Sequence, residues 1–289
     1  MSDAARPPPP TPSRKGRGLS AARSLRRIAW RGGEGELGIR TVPDETPVAL
    51  TYNRAALVVM LATPADLEDF ALGFSLTEGM IERPEQLQEL EVVQVGDGVE
   101  LRMWLAEDRL AVAEARRRRL AGPSGCGLCG IESLADAVRA PPPVTADIRF
   151  AAGDVAAAMA ALPAAQRLNQ ATHAVHAAGL WIPSRGLVAV REDVGRHNAL
   201  DKLAGALARQ GMDASGGLVL LSSRLSVELV QKAAAIGAPV VAAVSVPTAL
   251  AVRVAEAAGI TLIGVTRQDG FEVFTRAERI EMGRAKDVA

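Results

Sequence analysis

Gly217-Leu218-Val219-Leu220-Leu221-Ser222 and Pro239-Val240-Val241-Ala242-Ala243-Val244-Ser245 are two short apolar runs separated by a helical pattern near residues 225–236. A strand that is apolar at every position, not at alternate ones, is buried on both faces. The same rhythm continues outward. Apolar runs at 186–190 and 261–266 flank this pair, and helical patterns near 196–209 and 248–258 fill the intervals. Strand and helix alternating in this way predict an α/β fold with a mainly parallel, three-layer sheet. Ligands of such sheets sit outside the carboxyl ends of the strands. Two polar segments fall at such ends: residues 191–202 and Ser222-Ser223-Arg224.

Upstream the pattern differs. Pro141-Pro142-Pro143 forbids helix or central strand and marks a boundary. Residues 141–289 are therefore expected to form the α/β domain and residues 21–140 a smaller N-terminal α+β domain. In the latter, residues 48–61 read as two strands around an Asn53-Arg54 turn, and residues 91–105 as a hairpin around Gly96-Asp97-Gly98. Between them Thr63-Pro64 opens a helix, with Thr63 as N-cap, Asp66 and Glu68 in the first turn, and Leu67, Phe70, Ala71 and Phe74 at helical spacing. Pro84 starts a further short element.

The chain has 289 residues and balances 33 Lys and Arg against 33 Asp and Glu, so its overall charge gives no reason to expect nucleic acid or a membrane surface as partner. Residues 1–40 nevertheless hold nine basic and three acidic residues, with five prolines in the first twelve positions. Such a segment buries too little apolar surface to order itself, and residues 1–20 are expected to be disordered. Arg26-Arg27 lead into Ile28-Ala29-Trp30 and then charged and glycine residues, not an apolar signal-peptide core. The longest uncharged run, 236–252, is broken by Pro239, Ser245 and Pro247 and suits a strand, a turn and a helix better than a membrane span. A cytoplasmic protein is expected.

The only two cysteines stand in Gly125-Cys126-Gly127-Leu128-Cys129-Gly130. A CxxC turn lowers thiol pKa, and the glycines permit close approach of a second molecule. Three chemistries compete for the pair: a redox dithiol, two zinc ligands, or a carrier of persulfide sulfur. Zinc would need His173 and His176 as well, at a separation far beyond zinc-finger spacing. A thioredoxin-like dithiol would follow the first strand of a βαβ unit, whereas this turn follows Arg116-Arg117-Arg118-Arg119 and precedes a helical pattern at 131–140. Sulfur relay is favoured. The four arginines read either as a solvated helix face or as a cluster that attracts a phosphate-bearing ligand and favours thiolate nearby.

Arg191-Glu192-Asp193-Val194-Gly195-Arg196-His197-Asn198-Ala199-Leu200-Asp201-Lys202 concentrates ionisable side chains against an apolar background. Asp193 is the expected N-cap of the helix that follows. Its free N–H groups, with Arg196 as a bidentate donor, suit a phosphate. His176 sits in an apolar setting and reads equally as a core histidine or a ligand-facing one.

Taken together these motifs, with Ala71-Leu72-Gly73-Phe74-Ser75-Leu76-Thr77-Glu78-Gly79 and Ser222-Ser223-Arg224 through Val230-Gln231-Lys232, resemble the formate dehydrogenase accessory sulfurtransferases of the FdhD/NarQ family. The resemblance implies that Cys126 accepts sulfane sulfur from an L-cysteine desulfurase as a persulfide, with Cys129 assisting. The sulfur then passes to the molybdenum cofactor, bis-molybdopterin guanine dinucleotide, for formate dehydrogenase. It implies that the guanine dinucleotide is bound partly by Val265-Thr266-Arg267-Gln268-Asp269-Gly270; Arg196, His197 and Arg224 are added as phosphate-facing groups. The family's second domain is similar to the cytidine deaminase fold. Deaminase chemistry needs H-x-E, and Ala178 stands in place of the glutamate after His176. No resident metal is expected, and a homodimer is. The alternative function is a cofactor-binding chaperone that moves no sulfur.

Overall fold

The structure, a computed structural model, describes residues 19–119, 140–267 and 270–283, and for 116–119 the backbone alone. Residues 1–18, Cys126 and Cys129, the expected helix at 131–140 up to residue 139, and Gln268 and Asp269 lie outside the described residues. No helix among the described residues is long and apolar enough to cross a membrane.

The chain begins with a two-stranded antiparallel ribbon, β1 (Ala22–Arg31) and β2 (Glu34–Pro43), paired in register from Ala22↔Pro43 to Arg31↔Glu34. Its two-residue loop is Gly32-Gly33, both at positive φ, a conformation that costs glycine nothing. That dipeptide was the signal for the ribbon, which the sequence reading passed over. β3 (Thr46–Tyr52) and β4 (Ala55–Ala62) then form the expected hairpin, with Asn53 and Arg54 both left-handed at the turn. Helix α1 (Leu67–Thr77) follows, and β5 (Leu87–Val95) and β6 (Gly98–Leu105) make the second hairpin. The four strands form one sheet in the order β4-β3-β6-β5, with β3 and β6 parallel. Val99, Leu101, Met103 and Leu105, at alternate positions of β6, point to a core shared with Phe70, Ala71 and Phe74 of α1. Helix α2 (Leu110–Arg119) ends this region, and the four arginines 116–119 form its last turn.

Beyond the prolines come a short strand, β7 (Phe150–Ala151), and helices α3 (Ala152–Ala165) and α4 (Arg167–Thr172). Next are β8 (His176–Ile182), β9 (Gly186–Asp193), α5 (Arg196–Arg209), β10 (Leu218–Leu221), α6 (Val227–Ala235), β11 (Val240–Ala243) and α7 (Ala249–Ala258). The chain closes with β12 (Thr261–Arg267), β13 (Gly270–Val273) and β14 (Ile280–Glu281), the last paired parallel to β7. Six strands form a sheet in the order β13-β12-β11-β10-β8-β9. Every residue of β10 and β11 is buried. Leu218 and Leu220 enter the core under α3, while Val219 and Leu221 enter the core under α5, α6 and α7. Each such side chain contributes about 1.5–3 kcal/mol relative to exposure, which explains the three-layer arrangement read from the unbroken apolar runs.

One feature of that expectation is corrected. The sheet is mixed, not mainly parallel: only β10–β11 and β11–β12 pair parallel, while β8–β9, β8–β10 and β12–β13 are antiparallel. The reason is the short connection. β8 and β9 are joined through Pro183-Ser184-Arg185, too few residues for a crossover helix, and β8 itself lies in an alanine-rich run that carried no strand reading. Two successive antiparallel pairings still leave β9 running the same way as β10, β11 and β12. Their carboxyl ends therefore share one edge, where the start of β8 also lies.

Helix α1 begins at Leu67, not at Pro64, with Asp66 in the left-handed N-cap position. Thr63 is no cap, because its polar groups are committed elsewhere, as described below. α1 crosses α5 backbone against backbone. A Cβ at Gly73 would overlap the Asp201 carbonyl, and one at Gly205 the Asp69 carbonyl. Only glycine fits either position.

Candidate functional site

The shared strand edge gathers most of the residues assigned to ligand binding. Arg196 and His197 open α5 just after β9, Arg224 follows β10, and Val265-Thr266-Arg267 end β12 with Gly270 starting β13. Arg224, Arg267 and Gly270 are exposed, and Arg196 and His197 are partly buried. His176 joins them from the start of β8, in register with Asp193. His173 stands apart, left-handed at the C-terminal end of α4. Thr266 is buried and donates its hydroxyl to the Ala243 carbonyl at 2.8 Å, so it ties β12 to β11.

The start of α5 is built from the inside. Asp193 is fully buried, and its two carboxylate oxygens accept from Gly195 N at 2.7 Å, Asn198 Nδ2 at 3.0 Å, Thr63 N at 3.0 Å and Lys202 Nζ at 2.6 Å. The Thr63 carbonyl accepts from Lys202 Nζ at 2.8 Å, and the Thr63 hydroxyl accepts from Val194 N at 3.1 Å. This corrects the N-cap assignment. Gly195 is the N-cap, with no side chain bonded to the first turn, while Asp193 acts one step earlier by fixing the turn 193–195. Among the described residues no side chain caps the first-turn N–H groups of α5, which is the arrangement that favours an anion.

A second buried cluster lies one turn further along α5. Lys232 Nζ donates to Asp201 Oδ1 at 2.8 Å, Asp201 Oδ2 at 3.1 Å, Glu78 Oε1 at 2.7 Å and Thr77 Oγ1 at 3.1 Å; Thr77 in turn donates to Asp201 Oδ1 at 2.5 Å. Burial works against the Lys232 charge, but Asp201 and Glu78 outweigh it and raise its pKa. Asp69 of α1 adds surface-ward pairs to Arg191 at 2.7 Å and Arg209 at 2.9 Å. The dense stretch 191–202 therefore divides. Asp193, Asn198 and Lys202 tie the start of α5 to Leu61 and Thr63 ahead of α1, Asp201 ties α5 to Thr77 at the end of α1, and Arg196 and His197 lie at the strand edge. Thr77 and Glu78 of the family motif belong to this anchorage, while the Gly79 carbonyl accepts from Arg109.

The electrostatics of the edge favour an anion. Burial lowers the His176 pKa, and the nearby Arg196 and His197 charges lower it further against the pull of Asp193. Among the described residues Arg196 Nε is buried without a hydrogen-bond partner. His197 Nε2 lies 3.5 Å from Ser226 Oγ and 3.8 Å from Glu228 Oε2, the latter an ion-pair distance and not a hydrogen bond. The His197 imidazole, with Ser226, holds Glu228 down at about 2 although burial opposes it. A depressed carboxylate pKa contributes stability that is present above the unfolded value of 4.5 and lost as pH falls towards 2. Glu228→Gln is thus expected to lower the thermal midpoint at neutral pH, with the gap to wild type closing as pH falls through that window. A gap independent of pH would show that the ion pair carries no linked stability.

Comparisons with known proteins bear on this geometry. A family model described as the FdhD/NarQ family matches residues 43–281. The sulfur carrier protein FdhD of Agrobacterium fabrum is 52% identical over 259 residues, 89% of this chain and 96% of that protein. The protein of the same name from Xanthomonas campestris pv. campestris is 46% identical over 278 residues, 96% of this chain and 97% of that one. Among solved structures, a protein described as a formate dehydrogenase accessory protein from Desulfotalea psychrophila superposes with a TM-score of 0.71 at 25% identity, covering 91% of this chain and 100% of that one.

Proposed function

Because the chain belongs to the FdhD/NarQ family, we propose that it is a sulfur carrier serving formate dehydrogenase, taking sulfane sulfur from an L-cysteine desulfurase and passing it to a molybdenum cofactor with guanine dinucleotide tails. The observation that carries this reading is the 52% identity to a named sulfur carrier protein across 89% of the chain. The Cys126-Gly127-Leu128-Cys129 segment supplies the chemistry. In loading, the Cys126 thiolate attacks the outer sulfur of the donor persulfide. A new S–S bond forms as the donor bond breaks, and the donor leaves as a thiolate. In delivery an electron pair of the acceptor forms a new bond to the outer sulfur as the bond from Cys126 to that sulfur breaks, and Cys126 leaves as the thiolate, so the sulfur is handed on at the sulfane level and the carrier is regenerated.

The described residues support the second half of this proposal, the holding of the acceptor. Pyrophosphate and guanine are the recognisable parts of the cargo. The uncapped start of α5 with Arg196 and His197 offers N–H donors and positive charge to a phosphate, and Arg224 and Arg267 extend that field along the edge. The buried Asp193–Lys202 pair holds the turn so that these donors need no reorganisation on binding.

GDP is the simplest probe of this edge. Wild-type protein is expected to bind GDP in a calorimetric titration, and Arg196→Ala to bind it about tenfold or more weakly, the loss of one charge-assisted contact. Equal affinity in the two proteins would move the phosphate site away from α5.

A further inference from the structure

β1 and β2 pair residue for residue, so residues that oppose one another share one side of the ribbon. On the front stand Ser24 with Thr41, Arg26 with Ile39, Ile28 with Leu37 and Trp30 with Gly35. On the reverse stand Arg23 with Val42, Leu25 with Arg40, Arg27 with Gly38, Ala29 with Glu36 and Arg31 with Glu34. The two sides are sorted by chemistry. Ile28, Trp30, Leu37 and Ile39, the four most exposed large apolar side chains among the described residues at 71%, 75%, 81% and 71%, all fall on the front. Both glutamates fall on the reverse.

The ribbon is moored at its base. Arg23 Nε donates to Asp44 at 2.6 Å, Asp44 N to the Ala21 carbonyl at 2.8 Å, and Arg40 Nη2 to the Thr172 carbonyl of α4 at 3.2 Å. From Arg31 to Leu37 every residue is exposed, so the tip stands clear. The four front side chains leave on the order of 500 Å² of apolar surface in water, enough to mark an interaction site. Covering it buries about 1,000 Å² in total, the range of a transient encounter and well short of an obligate dimer. Charge narrows the occupant further. Residues 22–43 hold five arginines and two glutamates in a chain whose charges balance overall, and the front carries Arg26 with neither Asp nor Glu. A lipid surface fits less well, because Glu34 and Glu36 stand beside the Gly32-Gly33 tip that would enter it. The residues matched by the family model begin at 43, where β2 ends, so this surface precedes them.

We propose that the front of the β1–β2 ribbon is a docking face for a transient protein partner, which lays across it an amphipathic helix whose apolar stripe is bordered by Asp or Glu. A strand added to the ribbon's edge would leave the front in water, so the partner element lies across the face. The apolar patch runs four residues along two strands, about 13 Å, which matches two to three turns of helix. Trp30 is the anchor, since Gly35 opposite it leaves the flank of the ring bare for contact. Arg26 meets the bordering carboxylates, and the excess positive charge of the ribbon steers the approach. The face uses none of the residues of the nucleotide edge and stands or falls separately from the sulfur and GDP readings.

The probes are two synthetic amphipathic helical peptides with the same leucine stripe, bordered by Glu in one and by Lys in the other, titrated into the full-length protein by calorimetry. The Glu-bordered peptide is expected to bind about tenfold or more tightly than the Lys-bordered one, with the difference shrinking at high salt. Trp30→Ser and Leu37→Ser are each expected to weaken its binding about tenfold while leaving the thermal midpoint unchanged, because both side chains are already in water in the free protein. Arg26→Glu is expected to abolish or reverse the preference between the peptides. Light scattering, and flotation with phosphatidylcholine–phosphatidylserine vesicles, test the other occupants. Dimers that Trp30→Ser dissolves would assign the face to a second copy, and vesicle binding that the same variant abolishes would assign it to lipid; either result overturns the proposal. So would no binding of the Glu-bordered peptide, equal affinity for the two peptides, or binding indifferent to all three variants.

Discussion

Cells whose only copy of the gene carries Cys126→Ala are expected to show no formate dehydrogenase activity, while the purified variant binds GDP as the wild type does. The expectation follows from the division of labour in the chain. On the proposed function the sulfur is carried in the segment 125–130, and the acceptor is bound at the strand edge by residues of α5 and by those that follow β10 and end β12. Replacing Cys126 by alanine removes the sulfur atom that the proposal assigns to the persulfide bond, so activity is expected to be lost and not merely reduced. Two rivals are separated by the same strain. A chaperone that binds the cofactor without moving sulfur would support near-normal activity with Cys126→Ala. A dithiol oxidoreductase would lose activity but would also display a reversible disulfide between Cys126 and Cys129 with a defined potential.

The second large effect is on stability. Lys232→Met is expected to destabilise the protein by about 3–5 kcal/mol, because it leaves the Asp201 carboxylate in the interior without its counter-charge. Lys232 and Asp201 are buried at 6% and 0% exposure, and Thr77 is the only other group bonded to Asp201 among the contacts given above. For a chain of this size that cost corresponds to a fall in thermal midpoint on the order of 10 °C. The double substitution Asp201→Leu with Lys232→Met is expected to recover part of the loss, since removing both charges removes the desolvation penalty. A double variant whose loss equals the sum of the losses of Asp201→Leu and Lys232→Met alone would show that the pair is uncoupled. The position matters for function as well as folding. Lys232 of α6, Asp201 of α5 and Glu78 at the end of α1 meet at one point, so this cluster and the Asp193–Lys202 pair together fix the helix whose first turn lies at the strand edge.

Residue pattern made the layers legible. Runs such as Leu218-Val219-Leu220-Leu221, apolar on both faces, are possible only between two helical layers, and the Asn53-Arg54 and Gly96-Asp97-Gly98 turns placed both N-terminal hairpins. Strand direction was not legible. β8 and β13 are antiparallel because short connections join them to their neighbours, and an alanine-rich strand such as β8 has too little periodicity to separate it from helix. The ribbon of β1 and β2 went unread for another reason: it presents Ile28, Trp30, Leu37 and Ile39 at 71–81% exposure, so no burial pattern marks it.

The candidate site was legible as chemistry and illegible as geometry. The density of charge in 191–202 identified a segment of importance, but sequence spacing does not show that Asp201 and Lys202, adjacent in the chain, reach different partners. Lys202 turns to Asp193 and Thr63, whereas Asp201 turns to Lys232 and Thr77. On a helix, neighbouring residues point about 100° apart, and a buried ionic group declares its partner only when the tertiary packing is known. Thr63 was misread as a helix cap for the same reason. Its preference for a cap is genuine, but three long-range hydrogen bonds take up the same polar atoms.

The most direct test of sulfur transfer is the mass of the peptide containing residues 125–130 after the protein is incubated with a cysteine desulfurase and L-cysteine, then alkylated without reductant. A gain of about 32 Da, one sulfur atom, located on Cys126 and absent from Cys126→Ala protein is the predicted result. An unmodified peptide, under conditions in which a known acceptor protein is loaded by the same desulfurase, would contradict it.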